Sequence, residues 1–243
     1  MQILFWINRG LSLLNIEADI KASKEHSKAG RPKSAEKCKQ ILTSAGELFL
    51  TSGFSGCSME MVAKHSGVSK QTVYSHFNNK EALFLAVIEE KCAEYQLDDR
   101  HLEVADISLL QVLRERGLQI VKLLHDEQVI AIYRVIIGEV NSNPRVAELL
   151  YQAGPKHSLE YLAKCFIKFT KQPITDEFAD TCAVTFSSLL KSELHIKSIL
   201  GLDFALSDTE QIAHVEFAIH QIEMLLESNT HSSSPHSKSE MLG

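Results

Sequence analysis

His65–Phe84 reads HSGVSKQTVYSHFNNKEALF, and the spacing of its glycine, serines and apolar residues decides how the N-terminal part folds. Upstream, Ser58 is placed to cap a short helix whose inward face carries Met59, Val62, Ala63 and Ser66, and Gly67 ends it. Ser69 then caps the next helix only two residues later, with Val68 and Val73 at the spacing of a hydrophobic staple. Asn78-x-x-Glu81 reads as the capping box of a further helix running to about Gln96. Two short helices joined by a tight glycine turn form a helix-turn-helix, in which the second helix enters the major groove of DNA by its N-terminal end.

Projecting that second helix at 100° per residue turns Val73 and Phe77 inward. Gln71, Thr72 and Ser75 point outward, Tyr74 and His76 flank the buried stripe, and Lys70 occupies the first exposed turn. Glutamine is suited to a bidentate contact with adenine, and threonine to a hydroxyl contact or a thymine methyl. Lys70, Tyr74 and Lys80 suit phosphates, as do the helix starts capped by Ser58 and Ser69. A solvated face on a small bundle would look similar, so charge is the next discriminator.

The chain of 243 residues has a formal charge of −6, but the distribution is uneven. Residues 21–80 carry ten Lys/Arg against four Asp/Glu, whereas residues 81–243 carry fourteen against twenty-five. A basic N-terminal third on an acidic body points to a polyanion at one end only. Residues 1–33 read as an arm, with KAGRPK able to follow a DNA backbone or minor groove. The opening MQILFWINRGLSLLNI makes a poor secretory signal, because Asn8 and Arg9 interrupt it and no basic segment precedes it.

The helical pattern begins at Ser34, where Ile41, Leu42, Ala45, Leu48 and Phe49 share one face and Gly53 stops the helix. Further helices are expected over 107–125, 127–141, 144–170, 176–200 and 208–227, with Pro144 in a first turn and Ser207-x-x-Glu210 as a capping box. The expected organisation is all-α: an arm (1–33), a three-helix DNA-binding domain (34–80), a larger helical domain for ligand binding and dimerisation (81–228), and a disordered tail (229–243). No segment is apolar over the length a bilayer requires, and five dispersed cysteines suit a reducing cytoplasm.

Ile41–Phe84, ILTSAGELFLTSGFSGCSMEMVAKHSGVSKQTVYSHFNNKEALF, resembles the DNA-binding domain of TetR/AcrR-type bacterial transcriptional regulators. The likeness lies in the first-helix A…LF…GF, the second-helix VA…GVS, and TVYSHFNNKEAL, which closes the third helix and opens the fourth. It implies phosphate contacts at Ser58, Ser69 and Lys80, and a recognition helix carrying Lys70, Gln71, Thr72, Tyr74 and His76. It also implies a cytoplasmic homodimer on a near-palindromic double-stranded operator, released when a small-molecule effector changes the spacing of the two heads. Ala131–Pro155, AIYRVIIGEVNSNPRVAELLYQAGP, is similar to the effector-domain segment of one branch of that family.

Arg134 and Glu139 lie on a helix otherwise rich in Val and Ile, where a charge must be paired or bind something. They are candidate effector contacts, or else each bonds a neighbouring helix. Tyr133, Tyr151 and Tyr161 are read as core residues or polar handles of a pocket. The apolar residues of the last two helices suit both an internal core and a four-helix dimer interface. No catalytic motif is present, the eleven histidines are scattered, and neither a metal nor a cofactor is expected. The competing class is an all-α small-molecule-binding protein or enzyme with a vestigial helix-turn-helix domain.

Overall fold

The computed structural model describes residues 35–95, 107–202 and 205–232. Met1–Cys38 and Lys39–Gly243 separate into two units, and of the first only the opening turn of one helix is described. The arm (1–33), the polar stretch at 98–106 and the tail beyond Ser232 lie outside the described residues.

Within those limits the secondary structure is helical. The order is α1 (Ala35–Gly56), α2 (Met59–Ser66), α3 (Lys70–His76), α4 (Lys80–Glu94), α5 (Leu109–Leu124), α6 (Glu127–Glu139), α7 (Pro144–Tyr151), a π-helical turn (Gln152–Lys156), α8 (His157–Phe169), α9 (Asp176–Leu200) and α10 (Asp208–Ser232).

The caps explain most boundaries. Ser58 and Ser69 accept hydrogen bonds from the Met61 and Thr72 N–H groups, at 3.2 and 3.1 Å. Gly67, at φ 70°, ends α2 in the left-handed region. The cap of α4 is Asn79, whose side chain accepts from Ala82 N–H at 2.8 Å, and not the expected Asn78. Ser207 and Glu210 form the expected box, with Ser207 N–H and hydroxyl both donating to Glu210 Oε2.

Three corrections concern continuity. The helix expected over 144–170 is broken into α7 and α8 by the π turn that holds Gly154 and Pro155, where proline supplies no N–H. Helix α10 continues to Ser232, through the first four residues assigned to the tail. Helix α9 spans the expected range but bends at Ser192, whose φ of 41° is the sole positive value at a non-glycine among the described residues.

Two apolar assemblies result. Phe49, Phe54 and Phe84 pack together with ring centroids 5.2–5.8 Å apart, joining α1 to the start of α4 beneath the helix-turn-helix. The larger core is built from α5, α8, α9 and α10, around Leu113, Leu162, Phe166, Phe186, Leu190 and Ile222. At Gly117 α5 lies close against α10, since a Cβ there would fall 2.7 Å from Val215 Cγ1.

Candidate nucleic-acid interface and buried cavity

Helix α3 is held by the fully buried Val73 and by Phe77, and it turns the rest of its surface outward. Gln71 is exposed and has no hydrogen-bond partner among the described residues; Tyr74 is 41% exposed. The Thr72 hydroxyl shares a hydrogen bond with Ser69 Oγ at 2.8 Å, so its reach is fixed by the cap. Lys70 forms an ion pair with Glu60 of α2 and lies 5.7 Å from the Tyr74 ring centroid. His76 is half-buried, with its ring tilted against Phe77. Ser58, Ser69, Lys70, Gln71, Thr72 and Tyr74 therefore belong to one pair of adjacent helix starts and the surface that follows them.

Lys80 is placed differently. Its ammonium donates to the carbonyls of Phe54 and Cys57, at 2.7 and 2.9 Å, and sits 4.4 Å from the Phe54 ring centroid. It ties the end of α1 to the start of α4, so two of its three protons are committed inside the head.

Glu139 and Arg134 also bind protein groups. Glu139 Oε2 accepts from the Ser55 N–H at 3.0 Å and the Ser55 hydroxyl at 2.7 Å. Arg134 donates to the carbonyls of Ile199 and Ser198 at the C-terminal end of α9, at 2.8 and 2.7 Å. Neither lines the cavity described next; each bonds a neighbouring element. Helix α6 is thereby anchored at Glu139 to the N-terminal head and at Arg134 to α9. Gly53 makes the first anchor possible, because with φ 73° a Cβ there would fall 2.0 Å from Glu139 Oε1.

Behind this joint lies a cavity of about 320 Å³, bounded by α1, α4, α5, α6, the π turn with α8, and α9. Its apolar wall includes Leu42, Leu50, Val87, Ile120 and Ile132, and its polar lining includes Arg116, Tyr133, Tyr161, Ser187 and Lys191. Arg116 is 2% exposed and stacks over the Tyr161 ring at 4.1 Å. Burial, with the nearby Cys165 thiol adding and Arg116 opposing, pushes the Tyr161 phenol up to about 12. Burial alone lowers the pKa of Lys191 from its ordinary value. Sequence reasoning missed Ser187 and Lys191, although their four-residue spacing on an apolar helix was a signal.

Two family models match: bacterial regulatory proteins of the tetR family over residues 41–87, and the C-terminal domain of AefR-like transcriptional repressors over residues 111–224. The chain belongs to the TetR family. Its members are transcriptional regulators and not enzymes. Among curated relatives, the transcriptional regulator UidR of Escherichia coli is 33% identical over 112 residues, covering 46% of this chain and 55% of UidR. The transcriptional activator FasR of Mycolicibacterium smegmatis is 40% identical over 50 residues, covering 21% of this chain and 23% of FasR. These matches therefore span from about a quarter to about half of those relatives' lengths. Among solved structures, the flavonoid-responsive regulator FrrA superposes with a TM-score of 0.60 at 28% identity, covering 80% of this chain and 97% of FrrA. A regulator from Mesorhizobium loti has the same TM-score at 23% identity, a likeness of fold. No described helix is long and apolar enough to cross a membrane.

Proposed function

We propose that this protein is a ligand-responsive transcriptional regulator that binds a near-palindromic operator as a homodimer and represses until a small molecule releases it. The observation that carries the reading is α3: a helix anchored by Val73 and Phe77, with Gln71 and Tyr74 exposed beside the capped starts of α2 and α3. In this reading Gln71 and Thr72 read bases. Ser58, Ser69, Lys70 and Tyr74 hold phosphates, Lys70 leaving Glu60 to do so. Lys80 acts mainly by fixing the head, and His76 borders the contact.

Two copies are joined through α9 and α10, which expose Val184, Ile196, Leu200, Ile212, Phe217 and Met224 while burying Phe186, Leu190, Val215 and Ile222 inward. Six exposed apolar side chains on two long helices suit a four-helix interface.

The cavity is the effector site, and α6 is the connection from it to DNA. Ile132 and Tyr133 line the cavity, and Glu139 of the same helix holds Ser55 at the end of α1. A ligand that displaces α6 moves the joint at Ser55 and changes the separation of the two heads. FrrA, described as flavonoid-responsive, supports control by a small molecule. None of the five cysteines is joined in a disulfide, which suits action in the cytoplasm.

The test is an electrophoretic shift of the full chain on the DNA upstream of its own gene, with genome-wide mapping of bound sites. Salt-sensitive, sequence-preferring binding by a dimer is expected. Its absence in both would favour a small-molecule-binding protein that does not use its helix-turn-helix.

A further inference from the structure

The polar groups of the cavity are unevenly distributed. Its lining carboxylates, Glu47, Glu90 and Glu94, are exposed and belong to α1 and α4. Ser187 and Lys191 on α9, Tyr133 on α6 and Tyr161 on α8 are buried or half-buried. Among the described residues the hydroxyls of Tyr133 and Ser187 and the ammonium of Lys191 have no hydrogen bond or ion pair. The Tyr161 hydroxyl approaches the Cys165 thiol and Arg116 without reaching hydrogen-bond geometry with either.

An ammonium can only donate, and burying it without an acceptor disfavours its charged form. The buried His195, one turn beyond Lys191, supplies no counter-charge. Its Nδ1 faces the Leu124 carbonyl at 3.3 Å, its ring packs edge-on to Tyr133, and burial, with Lys191 adding, lowers its pKa. Arg116, 2% exposed, adds a buried cation to the same lining. A neutral apolar ligand would leave the ammonium as it is, and a cationic one would add repulsion.

Taking the cavity as the effector site, we infer that it selects small apolar acids. The carboxylate meets Lys191, the hydroxyls of Ser187, Tyr133 and Tyr161 supply further donors, and the hydrocarbon body lies against the leucine and isoleucine wall. Selectivity follows from charge, since an amide of the same shape keeps the apolar contacts but offers the ammonium no counter-charge.

The test is calorimetric titration of the full chain, without DNA, with 1-naphthoic and decanoic acids and with their amides. At least one acid should bind about tenfold or more tightly than its amide, as a charge-assisted hydrogen bond provides. Lys191→Met should erase that preference while leaving amide binding unchanged or tighter. An amide that binds as well as its acid, no acid binding up to about 1 mM, or a folded Lys191→Met that retains the preference would overturn the inference. If the variant does not fold, the wild-type contrast between acid and amide decides alone. An acid that binds but leaves DNA affinity unchanged supports the acid selectivity and counts against the effector role, so the two readings fail separately.

Discussion

Replacing Gly53 by alanine tests the joint between the DNA-reading head and α6. At φ 73° and ψ 172°, Gly53 occupies a region that only glycine adopts readily, and a side chain there costs about 1–3 kcal/mol. The new Cβ would also fall 2.0 Å from Glu139 Oε1, so the carboxylate must leave and its two bonds to Ser55 break with it. Those bonds lie at an exposed turn and belong at the low end of the range, about 0.5–1.5 kcal/mol each. Gly53→Ala should therefore destabilise by about 2–6 kcal/mol, and Glu139→Ala by about 1–3 kcal/mol. With Glu139 already removed, Gly53→Ala retains only its backbone cost. Urea unfolding of the full chain for both single variants and the double variant gives the coupling directly, and about 1–3 kcal/mol is expected. Additivity within about 0.5 kcal/mol would show that Gly53 is not shaped by Glu139, and the joint would lose its physical basis.

Lys80→Met should lower stability by about 1–2 kcal/mol, from its two bonds to carbonyls at a partly exposed site, while changing the salt dependence of DNA binding by less than one phosphate equivalent. A full unit of salt slope would return Lys80 to the phosphate contacts. Asp126 caps α6 through Gln128 and Val129 N–H, and Asp126→Ala should cost about 1–2 kcal/mol near neutral pH. Burial opposes its ionised form, but hydrogen bonds from Tyr95, Val129 N–H and Lys91 outweigh burial and hold its pKa below 3.8. The lowered value makes its contribution complete above pH 3.8 and lost as pH falls through the folded pKa, so wild type and variant should converge in acid unfolding. Phe217→Glu, at a residue 56% exposed in the single chain, should weaken dimerisation at least about tenfold in analytical ultracentrifugation with little change in helicity.

Local chemistry made the head legible. Ser58, Ser69 and Gly67 act within three or four residues of themselves, so sequence spacing carries the whole signal. The one-residue miss at Asn79 arose because two adjacent asparagines offered equivalent caps, and only the backbone geometry selects between them. The charges on α6 were correctly expected to have partners. Those partners are Ser55 and the carbonyls of Ser198 and Ile199, 84, 64 and 65 residues away, which no helical periodicity indicates. The cavity was least legible, because its lining is gathered from helices spread across most of the described chain. Lys80 read as a surface lysine because its carbonyl partners leave no mark in composition.

The most direct measurement is selection of random DNA duplexes by the full chain at moderate salt, repeated with Gln71→Ala and Thr72→Ala. The wild type should enrich a near-palindromic motif, and each variant should relax preference at one position in each half-site, by about 1–3 kcal/mol. Enrichment of no motif, or of an unchanged motif by both variants, would contradict the assignment of α3 as the helix that reads DNA.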